Sequence, residues 1–551
     1  MPKKHKARPR KTNFIFQGGI LAIAGVITRI IGLFYRVPVT NIIGDEGNGY
    51  YAAAYQIYNI MLLISSYSLP IAISKIVSAR YSRKQYGNSS QVFKGGLLFA
   101  FVSGGIVCLL VFFEADFFAG KLMSEQMSAI ALRIFAPTLL IVAIMGVIRG
   151  YFQGMGTMIP TAVSQIIEQI VNAVVSILAA RALYGYGMKV AALLQNEHYA
   201  PAYGAAGSTL GTSAGALAGL LFLIFMLLVL SSTLSELRRN EENPQTEPLS
   251  YIVKLIIMTA VPVIMSTAIY NISDVLDNGI FNKIMTLKGR GIEKTSIWGV
   301  YSGKYKLLMN VPIALSNAMS ASTVPTLAAS MAAGDLKAAR RRTNYAMRFT
   351  MLIAFPCAVG LAVLADPILT MLFSGEQALA AALIRAGAVS IIFFSISTLS
   401  NGILQGINRM QIPVINSVLS LIVHLALLYV MLDKFDLGIY AVLIGNTLFA
   451  LFMCILNQIA IRRFLNYAQE MKRTFLVPFI ASALMGVIVF GVYKLFALFA
   501  GNMLSTLISI VIGVGVYSIA IMKLGGVREA ELKEMPGGGL ILRITRIFHI
   551  L

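Results

Sequence analysis

About fourteen stretches of this chain are apolar for long enough to cross a lipid bilayer, a hydrocarbon core of roughly 30 Å taking about 20 helical residues. They lie near residues 14–37, 49–78, 93–114, 127–149, 158–183, 204–230, 251–273, 299–330, 349–373, 379–405, 411–432, 438–461, 475–499 and 503–524. In hydrocarbon every backbone N–H and C=O must be satisfied within the protein, which leaves helices or a closed barrel. Unbroken runs of this length exclude strands, so the expectation is an all-α polytopic membrane protein. Charged residues make up 12% of the chain, about half the usual share of a soluble domain, roughly 25%. Cys108, Cys357 and Cys454 all sit inside apolar runs and show neither a disulfide framework nor metal-ligand spacing. The basic start Met1–Lys11 leads into a long apolar helix with no small-residue cleavage site, unlike a removable signal peptide.

A formal net charge of +22 would suit a nucleic-acid partner if it formed one patch. Instead the excess falls in alternate loops. One set carries Lys3 to Lys11, Arg80, Arg83, Lys84, Lys94, Arg149, Arg238, Arg239, Lys254, Lys337, Arg340 to Arg342, Arg348, Arg409, Arg462, Arg463, Lys472, Arg473 and the tail. It outnumbers the other set by about three to one, which the positive-inside rule assigns to the cytoplasm together with both termini. No nucleic-acid partner is expected. The layout is a basic N-terminus (1–13), a first lobe (14–230), a polar cytoplasmic linker (231–250), a second lobe (251–462), two further helices (475–524) and a cytoplasmic tail (525–551). Arg543, Arg546 and His549 recur every third residue among apolar neighbours in Leu540–Leu551, a pattern that fits an interfacial helix or a frayed end.

A shift of about 250 residues superposes two halves. Gly49-Tyr-Tyr-Ala-Ala-Ala-Tyr55 falls on Gly299-Val-Tyr-Ser-Gly-Lys-Tyr305, Ser66 on Ser316, and Arg149-Gly-Tyr-Phe-Gln-Gly154 on Asn401-Gly-Ile-Leu-Gln-Gly406, with Pro160 and Pro413 following. The architecture expected is two six-helix repeats plus two C-terminal helices. Six being even, the repeats are parallel and related by a pseudo-two-fold axis along the membrane normal, an arrangement found in transporters. The Gly-rich run 150–156 follows no strand and precedes no Lys-Ser/Thr, so it reads as a helix–helix turn rather than a phosphate loop.

Ionisable residues inside the spans are candidates for function, since a charge in hydrocarbon costs at least ~2.5–3.5 kcal/mol. Arg29 lies roughly 22 Å along the first helix at ~1.5 Å per residue, beyond easy reach of the cytoplasm, and is assigned to a cavity. Arg36, just before Pro38, either faces that cavity or snorkels to headgroups. Lys304 and Lys306 are two apart and cannot share a helix face, so one faces the cavity and the other snorkels. Asp274 and Asp277 are either charge partners of these cations or an ion-coupling site. Glu168 and His424, near mid-membrane, serve either packing or proton relay. Lys75, Arg133 and Arg385 are near helix ends, where snorkelling suffices. Cations in a membrane imply an anionic cargo, and a lipid-linked pyrophosphate suits Arg and Lys through charge-assisted hydrogen bonds. No catalytic residue, metal site or cofactor is expected.

Thr28-Arg-Ile-Ile-Gly-Leu-Phe-Tyr-Arg36, the Gly-Tyr-Tyr opening of the second helix, Arg149-Gly-Tyr-Phe-Gln-Gly, Pro160 and Gln165-Ile-Ile-Glu168 together resemble the polysaccharide-transport branch of the multidrug/oligosaccharidyl-lipid/polysaccharide (MOP) flippases. Within it the chain is similar to the stage V sporulation protein B group and the MurJ-type lipid II flippases of Gram-positive bacteria, over essentially its whole length. The resemblance implies two lobes in a V, a cationic cavity lined by the first, second, seventh and eighth helices, and a groove for a lipid tail on the last two. It implies lipid II, or another undecaprenyl-linked saccharide, moved from inner to outer leaflet of the bacterial plasma membrane by alternating access. The drive would be membrane potential or a Na⁺ or H⁺ gradient, and the partners membrane lipids and cell-wall synthesis machinery. Arg29 matches the family's Ser-Arg-x-x-Gly pattern, with Thr28 for Ser and Gly32 in place. Arg36 falls one residue later than the next family arginine, and Leu62 and Leu63 stand where an arginine of the second helix is expected. A MATE-like drug antiporter would favour a carboxylate-rich cavity, against the cationic first helix. A membrane glycosyltransferase would need an acidic constellation beside a sizeable loop, which 184–203 and 274–298 do not offer.

Overall fold

The computed structural model describes residues 12–241, 247–291 and 293–526. The basic segment 1–11, the middle of the linker and the interfacial helix expected at 540–551 lie outside the described residues. Sixteen helices follow in order: α1 (Thr12–Leu62), α2 (Leu69–Tyr81), α3 (Tyr86–Phe113), α4 (Ser128–Gly154), α5 (Ile159–Leu194), α6 (Tyr199–Arg239), α7 (Leu249–Leu287), α8 (Lys294–Val300), α9 (Lys306–Ala332), α10 (Leu336–Val363), α11 (Ala365–Leu372), α12 (Ala378–Gly406), α13 (Gln411–Asp433), α14 (Ile439–Leu465), α15 (Val477–Phe496) and α16 (Asn502–Lys523). Single π-helical turns stand at Leu63–Tyr67, Phe117–Leu122, Tyr301–Tyr305 and Lys472–Leu476. No strand occurs among the described residues, and the expected all-helical membrane fold is present.

Twelve helical stretches among the described residues are long and apolar enough to span a membrane, against the fourteen expected. Two places account for the difference. Ala24–Tyr81 runs 58 residues as one stretch, about 87 Å at 1.5 Å per residue, where the sequence suggests two spans. Gly44 interrupts it with φ 70° and ψ −177°, a backbone region essentially restricted to glycine. The Asn48 amide caps the break by donating to the Gly44 carbonyl at 2.8 Å. The second place is α7, where Leu249–Ala260 is a shorter apolar helix and the residues after it, 261–271, lie outside those whose side chains are described.

Local chemistry sets several other ends. Asp335 caps α10 by accepting from the Ala338 N–H at 2.9 Å, satisfying one of the unpaired donors of a first turn. Gln195 and Asn466 close α5 and α14 in the left-handed conformation, which stops the helix and frees the chain to turn.

The chain forms two compact units, one up to Gly299 and one from Val300 on. The first extends beyond the polar linker because α7 packs on α1, α2 and α3. Its core joins Tyr50, Ala53, Ala54, Ile57 and Tyr58 of α1 to Leu132, Phe135, Ala136 and Leu139 of α4. The tightest pairing is α5 against α6. Gly207, Gly211, Gly215 and Gly219 recur every fourth residue and so share one face of α6. Any Cβ there would strike α5 around Ala179, Ser176, Asn172 and Ser164. In membranes, where apolar surface drives no association between helices, such small-residue faces allow the backbone approach that does.

In the second unit α9, α10 and α14 surround α12, with Leu399, Ile403 and Leu404 buried against Leu327, Met347 and Ile461. α15 and α16 pair with each other, and α15 leans on α10. Three arginines of α10 donate to backbone carbonyls: Arg340 Nε to Leu465 at the end of α14 at 2.6 Å, Arg342 to Thr326 within α9, and Arg348 Nε to Gly526 beyond α16 at 3.1 Å. Arg340 and Arg348 thus serve carbonyls at or beyond helix ends.

Candidate functional site

Arg36 lies on α1, eight residues before the Gly44 break, and is half-buried. Beyond the break, Tyr51, Tyr55 and Tyr58 share one face of the continuing helix, Tyr51 and Tyr55 stacked with centroids 5.8 Å apart and Tyr58 stacked on Phe135 at 4.4 Å. The Arg36 guanidinium lies 5.9 Å from the Tyr55 ring centroid. No carboxylate pairs with Arg36 among the described residues. Asn172 of α5 donates from Nδ2 to the Tyr35 hydroxyl at 3.2 Å. Ser176 Oγ lies 2.9 Å from Asn172 Oδ1 and 3.0 Å from the Ser208 carbonyl of α6.

Arg29, with Thr28 bonded back to the Gly25 carbonyl at 3.0 Å, lies on an exposed face of α1. In the second unit Lys304 is 2% exposed, its Nζ 3.4 Å from the Glu376 carbonyl oxygen. Lys306 is half-buried, 5.3 Å from the ring centroid of Tyr301, which itself stacks on Tyr305. The π-helical turn Tyr301–Tyr305 carries Lys304, and such turns recur at functional sites. On α7, Asp274 is exposed and Asp277 buried. Asp277 heads a polar run in which Asn278 donates to Gln56 at 2.6 Å and Asn282 to Asn278 at 2.8 Å.

Glu168 pairs with Arg149, Nη2 to Oε2 2.8 Å, while Arg149 Nε donates to Ser164 Oγ at 3.0 Å. Arg149, expected in a loop, lies within α4, which continues to Gly154. The expected span, 127–149, ends at Arg149 because the Gly-rich run after it reads as a turn. His424 is fully buried on α13, edge-on to Phe449 and lying against Gly445 of α14, a packed position. Asn457 of α14 donates to Ser400 Oγ at 2.9 Å and Asn401 Oδ1 at 2.7 Å, and accepts from Asn416 at 2.8 Å. These amides, like Asn172 and Ser176, were missed because neutral polar residues hardly disturb an apolar run. Their signal was an Asn or Ser spaced in helical register within a span.

Outside the hydrocarbon stretches, Glu125 is 5% exposed. It accepts from Thr295 Oγ1 at 2.7 Å and lies 3.7 Å from Lys294 Nζ. Burial pushes its carboxyl above the ordinary range, with Lys294 and Thr295 opposing and Glu46 adding to the rise. Glu46 in turn binds His198 and accepts from Tyr50 at 2.7 Å. Among the described residues no group of three or more His, Cys, Asp or Glu could hold a metal ion.

A multi-pass helical membrane protein with buried cations and amide networks in its spans is of transporter type. The model of the polysaccharide biosynthesis protein family matches residues 17–331, and that of the MatE family residues 305–430. The chain belongs to the polysaccharide biosynthesis protein family. It is 27% identical to the lipid II flippase MurJ of Bacillus subtilis (strain 168), covering 94% of this chain and 96% of that one. It is 24% identical to stage V sporulation protein B of the same organism, covering 97% and 100%. A solved structure of the lipid II flippase MurJ, in an inward closed conformation, superposes with a TM-score of 0.64 at 16% identity over 91% of this chain and 97% of that one. The shared fold is therefore that of MurJ.

Proposed function

We propose that the protein is a flippase that moves a lipid-linked saccharide across the bacterial plasma membrane, with lipid II as the cargo and alternating access as the means. Arg36 carries this reading: a cation inside a spanning segment, set against the Tyr55 ring and paired with no carboxylate among the described residues, suits a pyrophosphate headgroup while the lipid tail stays in the bilayer. The near full-length likeness to a lipid II flippase supports the cargo. The 24% likeness to stage V sporulation protein B supports a second cargo within the same chemistry, another undecaprenyl-linked saccharide. Both termini are assigned to the cytoplasm, the drive to membrane potential or a Na⁺ or H⁺ gradient, and the partners to membrane lipids and the cell-wall synthesis machinery.

The test is purified protein in liposomes with lipid II in one leaflet and headgroup accessibility measured in the other. Wild-type protein should expose the headgroup unchanged, and Arg36→Ala should lose most of that rate while still inserting and folding. A wild-type rate in Arg36→Ala removes this residue from the mechanism. Transport of a teichoic or capsular precursor but not lipid II reassigns the cargo, and a new glycosidic product would overturn transport itself.

A further inference from the structure

Tyr35, the chain neighbour of Arg36, is held from behind by Asn172, and the direction of that hold has a chemical consequence. Asn172 is 5% exposed, Ser176 1% and Ser208 3%, so the support is dry. Asn172 turns its Oδ1 to the Ser176 hydroxyl and its amide nitrogen to Tyr35. The Tyr35 oxygen accepts from Asn172, and the single proton of the phenol is not used in that bond. That proton is left to donate. A guanidinium beside an outward-donating hydroxyl is a matched pair for phosphate oxygens, the first supplying charge and the second direction. The support cannot shift easily, because the glycine face of α6 rests on α5 at Ser176 and Asn172.

Building on the anionic-cargo reading, we infer that Asn172 is a positioning residue for the headgroup: its amide donates to Tyr35, which turns the Tyr35 hydroxyl and the Arg36 guanidinium together toward a phosphate. Asparagine is required for its donor end. An aspartate of the same shape would accept the Tyr35 proton instead and consume the donor that the phosphate needs.

The experiment is titration of the purified full chain with inorganic pyrophosphate and with undecaprenyl pyrophosphate in detergent, alongside its thermal midpoint. Asn172→Asp keeps the packing and should weaken binding of both probes by about tenfold or more, the worth of one hydrogen bond to a charged group. Asn172→Ala, which removes the donor without reversing it, should weaken binding less than Asn172→Asp does. A purely structural role would instead lower the thermal midpoint most in Asn172→Ala and leave affinity in the folded fraction unchanged, and that result overturns the inference. Should Asn172→Asp fail to fold, Tyr35→Phe carries the test, since it deletes only the hydroxyl. Wild-type affinity in Tyr35→Phe equally overturns it. Arg36→Ala separates the two levels: full affinity there sinks the anionic-cargo reading, whereas lost affinity there with an unaffected Asn172→Asp sinks only the positioning role.

Discussion

Arg149 and Asn401 open the same pattern in the two halves, Arg-Gly-Tyr-Phe-Gln-Gly against Asn-Gly-Ile-Leu-Gln-Gly. Around the first, α4 and α5 are joined by an ion pair with Glu168, backed by Ser164. Around the second, α12, α13 and α14 are joined by the amides of Asn401, Asn457 and Asn416. One position in the offset alignment thus carries charge in one half and neutral polarity in the other. The lesson is that helix pairing in the membrane requires satisfied polar groups there, not a particular kind. Charge raises what is at stake when one partner is lost, because the remaining ion is stranded; an amide left alone strands only dipoles.

The sharpest way to break this comparison is to remove one partner from each half. Glu168→Ala leaves Arg149 without its carboxylate and should cost about 3–5 kcal/mol, toward the lower figure because the pair retains some solvent contact. Asn457→Ala removes three hydrogen bonds among neutral groups and should cost about 1–3 kcal/mol. Thermal unfolding of the purified variants in detergent ranks them, and equal losses would mean that the charge in the first half adds nothing. The double change Arg149→Met with Glu168→Leu should then be near neutral, since well-packed apolar residues replace a buried pair at little cost. A double variant as unstable as Glu168→Ala would show that the ion pair is needed for more than its own compensation.

Glu125 extends the comparison to a fully buried acid, with the smallest expected effect. Because burial raises its carboxyl despite Lys294 and Thr295, the folded chain holds that proton more tightly than the unfolded chain does. The stability it contributes is complete below the unfolded value of about 4.3 and is lost as pH rises through the higher folded value. Glu125→Gln, neutral throughout, should flatten the dependence of thermal midpoint on pH between about pH 4 and pH 7. A slope unchanged by the substitution would assign it to another group, with Glu46 and His198 the nearest.

Much of the fold was legible because membrane helices announce themselves by length: the apolar runs fell where α2 to α6 and α9 to α16 stand. What hydropathy could not read was local backbone. Residues 38–48 include a proline, two glycines and two acids, yet helix continues on both sides of Gly44, since neighbouring helices satisfy what a break exposes. The π-helical turn at Tyr301–Tyr305 likewise has no compositional mark. For ionisable residues inside the spans, charge was the only signal available, and it singled out Arg36, Lys304, Glu168 and His424 but not the groups around them. Asn172, Asn457 and the α6 glycines are neutral and small, and their roles follow from which helices meet.

Gly44 has one further consequence, visible in a distance. Arg36 and Tyr55 are nineteen residues apart on what is nominally one helix, and in an unbroken helix their Cα atoms would stand about 28 Å apart. No arginine and tyrosine side chains bridge that gap, yet guanidinium and ring centroid are 5.9 Å apart. The contact therefore measures how far the chain folds back at a single residue. The proposed anion site is a product of that turn, and its geometry is tuned by the backbone at position 44 as much as by the groups that would touch the ligand.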